Sequence, residues 1–79
     1  MSGTTPENAD TPQHSRFTTV VIEIYCNGKQ QDDFYYIVPR AFQKTRELAL
    51  ESAWEYCWQM RKLYQDCMYT PVNVIGKIQ

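Results

Sequence analysis

Few side chains in this 79-residue chain have the types and spacing for catalysis. The sole histidine, His14, lies in a polar stretch with no apolar periodicity, where nothing would hold it against a reacting group. A Cys–His nucleophile pair would require that stretch to fold back onto the body of the chain. Cys57 and Cys67 fall on one expected helix, ~15 Å apart along its axis. That is too far for a disulfide or for two ligands of one zinc ion. With Cys26 they make an odd number and no paired framework, so the expectation is three reduced thiols filling gaps in a core. Glu47, Glu51 and Glu55 share one helical side without an opposing carboxylate, which excludes the arrangement of a glycosidase. Gly28 belongs to a turn and not to a phosphate-binding loop. The reading is a non-enzymatic protein with no catalytic residue, cofactor or metal.

Binding residues are better represented. Trp54 and Trp58 stand one helical turn apart, and Arg61 and Lys62 follow within the next turn. Trp and Arg dominate binding energy at protein interfaces more often than other residues. Trp54 falls at the border of the apolar helix face, where a core-periphery role suffices. Trp58 falls well outside it. Trp58, Arg61, Lys62 and Trp54, with Glu51 and Glu55 beside them, are the expected partner-binding surface.

The elements that must position these residues follow from the pattern. The stretch Ala41 to Met68 is the one long helix available, with Thr45 as N-cap, Glu47 in the first turn, and continuity to about Asp66; Ala41 to Lys44 is either a lead-in turn or an extra helical turn. Ala49, Ala53, Tyr56, Cys57, Met60, Tyr64 and Cys67 gather on one face at 100° per residue. Phe17 to Tyr25 is dense in β-branched and aromatic residues and reads as a strand. Its even positions, Thr18, Val20, Ile22 and Ile24, form the cleaner apolar face and should meet the helix. Asn27-Gly28 marks a hairpin. The second strand runs to Val38, and Pro39 ends it. A plain two-residue turn would set Asp33 and Gln31 on the core face. A loop of odd length with a bulge would bring Phe34, Tyr36 and Val38 inward instead, and that register is preferred. Tyr69-Thr70-Pro71 reads as a connection. Val72 to Ile78 reads as the last strand, with Val72, Val74 and Ile78 inward and a bulge or close approach at Gly76. Met1 to Arg16 reads as a disordered tail.

The sum is an α+β domain from residue 17 to 79, ββαβ, one helix on a three-stranded antiparallel sheet of order 2-1-3. The other sheet face would carry Phe17, Val21, Tyr25, Tyr35 and Ile37. An apolar patch of that size marks an interface. Three occupants stay open: a second copy, a partner protein, or single-stranded nucleic acid stacking on Tyr25 and Tyr35. Net charge is −1, and only Lys29 and Lys77 are near that face, so direct nucleic-acid binding is not expected. Asp32, Asp33, Glu47, Glu51, Glu55 and Asp66 are interrupted by basic residues, which also argues against acidic mimicry of nucleic acid. No apolar run reaches the ~20 residues of a membrane span. The leading residues lack the basic-then-apolar order of a signal peptide, so a cytosolic protein without membrane attachment is expected.

A strand ending in FYYIVPRA, the helix ELALESAWEYCWQM and the closing segment TPVNVIGKI make a plan that resembles small proteins of phages and mobile elements, anti-CRISPR inhibitors among them. The resemblance is one of architecture and covers Phe17 onward. It implies a non-enzymatic inhibitor that occludes a surface of a larger protein or ribonucleoprotein complex. It assigns no individual residue, because contact positions differ from one such inhibitor to the next. A small homodimeric assembly subunit is the remaining alternative.

Overall fold

The computed structural model describes residues 17–78. The expected tail, with His14, lies outside the described residues. The elements are β1 (Thr19–Cys26), β2 (Lys29–Gln30), β3 (Phe34–Ile37), a short 3-10 helix (Arg40–Phe42), α1 (Arg46–Leu63) and β4 (Cys67–Ile75). β1 is central. β4 runs antiparallel along one of its sides, while β2 and β3 occupy the other as two pieces of one interrupted strand. This is the expected α+β plan with the second strand, the first and the last side by side.

The expected odd-length hairpin loop is not found, although the inward set it was meant to explain is: a two-residue turn and a bulge both exist, at separate places. Tyr25 pairs with Gln30 and Cys26 with Lys29, so the hairpin loop is the two residues Asn27 and Gly28, at φ 54° and 78°. These are the left-handed values that such a tight hairpin demands. Past Gln31, whose N–H donates to the Ile24 carbonyl at 2.7 Å, the register changes. Ile22 now faces Phe34 and Val20 faces Tyr36. Asp32 and Asp33 thus stand against Glu23 alone, and the extra residue keeps the aspartates off the core. The even face of β1 meets the helix as expected, with Val20 and Ile22 completely buried.

β4 departs from expectation. It starts at Cys67, so Tyr69, Thr70 and Pro71 are strand rather than connection, and Met68 is not helical. Val38 donates its N–H to the Thr18 carbonyl, so even-numbered residues of β1 direct their backbone groups toward β3. Pro71 pairs with the even-numbered Ile22, which turns its missing N–H to the outer edge, where a strand tolerates proline. Val21 then pairs with Asn73, leaving Val72 as an extra residue, half exposed rather than inward. The bulge lies there and not at Gly76, which follows the strand at φ 82°. Val74 packs on the core as expected, and Ile78 does not.

α1 begins as expected. Thr45 accepts a hydrogen bond from the Leu48 N–H at 3.0 Å, and Glu47 sits in the first turn. The 3-10 turn before it seats Phe42 against the core, and the buried Gln43 amide donates to the Val38 carbonyl at 2.7 Å. The helix stops several residues short of Asp66, because Tyr64 leaves helical backbone at φ −122°, ψ 80°. Tyr64 is consequently exposed, and Cys67 is not on the helix face. Ala49, Ser52, Ala53 and Cys57 are the buried residues of the helix. Ser52 bonds the Tyr36 hydroxyl at 2.8 Å, and Tyr56 stacks on both Phe34 and Tyr36, at centroid distances of 5.5 and 4.9 Å.

The expectation of three reduced thiols is overturned. Cys26 and Cys67 pair across β1 and β4 with Cα atoms 4.0 Å apart and form a disulfide. Only Cys57 is free, and it is buried. Closing a separation of 41 residues removes unfolded-chain entropy equivalent to about 4 kcal/mol. A thiol-reactive dye should therefore label no cysteine in the native oxidised chain, one after denaturation alone, and three after denaturation with reduction. Cys26→Ser should lower the urea midpoint by an amount corresponding to several kcal/mol, to be read from equilibrium unfolding curves.

Candidate functional site

The helix flank and the bare sheet face hold the expected site residues. On the flank, the Trp54 and Trp58 rings lie 5.8 Å apart at 30°. The Arg61 guanidinium sits 4.7 Å from the centre of Trp58 and 5.6 Å from that of Trp54. The same guanidinium donates from Nε to the Tyr69 carbonyl at 3.0 Å and from Nη2 to Thr70 Oγ1 at 3.4 Å. It therefore joins α1 to β4 while holding two indoles in place. A guanidinium can do this because it is planar and weakly hydrated; an ammonium offers neither property.

Arg61 is half-buried, with donors turned toward β4, so part of the expected contact surface also serves the fold. Trp58 remains 54% exposed and Trp54 36%. Glu51, Glu55 and Lys62 are exposed beside them. The flank is thus a pair of fixed aromatic rings inside a fringe of mixed charge. Thr70, expected in a connection, is a partner of Arg61 that the sequence pattern does not reveal. The signal available was Cys67, whose pairing with Cys26 sets Thr70 on the strand next to the helix.

The second group is assembled by register. Val21 pairs with Tyr35, Thr19 with Ile37, and Tyr25 with Met68, all on the face opposite α1. Phe17, Tyr25, Tyr35 and Ile37 are between 38% and 44% exposed, and Met68 is 51% exposed. Val21 is half-buried among them. Met68 joins this face because the helix ends early, and sequence periodicity had placed it elsewhere. Glu23 is the only charged side chain among the strand residues of this face. The domain measures 34 × 34 × 16 Å, thick enough for the sheet and one helix layer.

Burial pushes the Cys57 thiol up to about 11, against a smaller lowering by Arg61. Such a thiol stays protonated at neutral pH and is a poor nucleophile. Burial also raises Tyr56, with neighbouring Tyr69, Cys57, Tyr36 and Tyr64 adding to the shift. Among the described residues no group of three His, Cys, Asp or Glu is placed to hold a metal ion. No helix among them is long and apolar enough to cross a membrane.

No protein-family model matches this chain. Neither curated proteins nor solved structures give a match.

The Cys57 shift carries a stability consequence. The folded thiol holds its proton more tightly than the unfolded one, so its contribution is complete below the unfolded value of 9.0 and is lost toward 11. Unfolding free energy should fall across that interval. Cys57→Ala should remove this part of the decline and leave the part due to Tyr56. Urea titrations at a series of alkaline pH values measure both.

Proposed function

We propose that the chain is a non-enzymatic protein-binding protein whose contact surface is the Trp58 flank of α1. The observation that supports this reading is the Trp54–Arg61–Trp58 stack, whose rings stay exposed although the guanidinium between helix and strand holds them fixed. Rigid aromatic groups lose little conformational entropy on binding, so their burial under a partner converts to affinity efficiently. Trp58 is the anchor, Trp54 and Arg61 position it, and Lys62, Glu51 and Glu55 form the polar rim that selects the partner.

The narrower reading is a phage-encoded inhibitor that blocks a surface of a bacterial defence complex, such as a CRISPR effector. It rests on the resemblance in plan alone. A cytosolic setting goes with it, and the Cys26–Cys67 disulfide weighs against that setting, since such bonds persist chiefly in oxidising compartments. A partner met in an oxidising compartment, at a cell surface or outside the cell, agrees better with the bond. Nucleic acid is disfavoured as ligand by the near absence of cationic side chains on the aromatic sheet face.

Affinity capture with the wild-type chain and with Trp58→Ala, followed by mass spectrometry, tests the reading. A protein retained by the first and lost from the second is the expected result. Trp58→Ala should weaken binding to that protein at least tenfold, with the melting temperature nearly unchanged. A large fall in melting temperature with unchanged affinity, or retention of nucleic acid alone, would overturn the assignment.

A further inference from the structure

The outer sheet face asks for a different occupant from the helix flank. We infer that it is the interface of a face-to-face homodimer in which two sheets pack against each other and the two helices lie outermost. The inference stands on a surface separate from the Trp58 flank.

Three observations carry it. First, both sheet edges are protected, so association by strand addition is blocked and the face is the remaining apolar route. On β4, Pro71 presents no N–H to the outer edge, the Val72 bulge breaks the line, and Arg61 occupies the Tyr69 carbonyl. On the opposite edge, β3 is four residues long and is bounded by Asp32 and Asp33 before it and Pro39 after it.

Second, charge on the face is confined to its hairpin end, where Asp32 and Asp33 stand against Glu23, and the rest of its strand residues are uncharged. Two copies meeting across a two-fold axis bring like residues near one another, which a charged face resists and a neutral one permits. Glu23 is half-buried toward the hairpin end, so a two-fold axis near Val21 keeps the two carboxylates apart. Accessible polar positions on the β4 side of the patch are filled by the uncharged Asn73 and by Thr70, whose hydroxyl accepts from Arg61.

Third, the area is sufficient. Large side chains of this kind bury ~150–250 Å² each. At the exposures of Phe17, Tyr25, Tyr35, Ile37 and Met68, one face offers on the order of 400–500 Å² of side-chain surface. Two such faces come to ~800–1,000 Å², the size of a small, weak interface that forms at high protein concentration. Aligned packing lets two sheets bury β-branched and aromatic side chains between them.

Light scattering on the full oxidised chain, from low micromolar to millimolar concentration, tests this directly. A species of twice 9.3 kDa is expected at the upper end. Ile37→Lys and Met68→Lys, on strands either side of β1, should each raise the dimer dissociation constant at least tenfold, whereas Trp58→Ala should leave it unchanged. Hydroxyl-radical footprinting of the unsubstituted protein gives a readout that survives any misfolding of those variants. Met68 and Tyr25 should become protected as concentration rises, and Trp58 should not. A monomer at every concentration overturns the inference. So does a dimer that neither lysine substitution weakens, or one whose footprint falls on Trp58 instead. A monomer, or a dimer that the lysine substitutions leave intact, does not bear on partner capture through the flank, whereas a footprint on Trp58 would count against both readings.

Discussion

The close approach of α1 to β1 is the constraint from which the rest follows. Val20 and Ile22 are completely buried beneath Ala49, Ala53 and Cys57. Those three side chains are small, and Ser52 beside them is small as well and spends its hydroxyl on Tyr36. A larger residue at Ala49 or Ala53 would lift the helix and open the layer, a change that tightly packed cores resist by about 1–3 kcal/mol. Because the contact is so near, aromatic side chains find no room at its centre. They fill its sides, with Phe34, Tyr36 and Tyr56 on one and the two tryptophans on the other.

Both neighbours of β1 must conform to that contact, and each does so with one extra residue. Without the additional residue at Asp32-Asp33, Asp33 would enter the layer opposite Ile22 and Phe34 would leave it. Without the one at Val72, Asn73 would face the helix opposite Val20 and Val74 would face away. Each insertion reverses the pleat once, which restores the apolar set to the buried side. The disulfide closes the other end of the β1–β4 pair and fixes where that pairing begins. A short domain with so small a core gains much of its stability from such a bond.

What could be read from the sequence was local. The β-branched alternation of Thr18 to Ile24 settled which face of β1 meets the helix, and Thr45 followed by Glu47 marked an N-cap without deciding whether Ala41 to Lys44 were helical. Asn27-Gly28 marked the hairpin, but the loop there has two residues and not the odd length expected. The end of the helix was not legible, because Tyr64 to Met68 contains no glycine or proline and could continue a helix on propensity. What ends it is the demand that Cys67 lie opposite Cys26, a contact between residues far apart in the chain. The same non-local demand moved Met68 to the outer face and Thr70 beside Arg61. For the candidate site, the i, i+4 spacing of the tryptophans was legible, but the role of Arg61 between helix and strand was not. Its partners lie on a strand that the sequence pattern began too late.

The account separates two uses of one helix. Its inward stripe makes the fold, and the Trp54–Trp58 side is surface that folding does not consume. The most direct test needs no partner: the unfolding free energy of the Trp54→Ala, Trp58→Ala double variant, from urea titration of the oxidised chain. If the indoles are surplus to folding, the loss should be about 1 kcal/mol, in the range of substitutions at partly exposed positions. A loss of ~3–5 kcal/mol or more, as when a buried tryptophan is removed, would show that the indoles belong to the core and contradict the account.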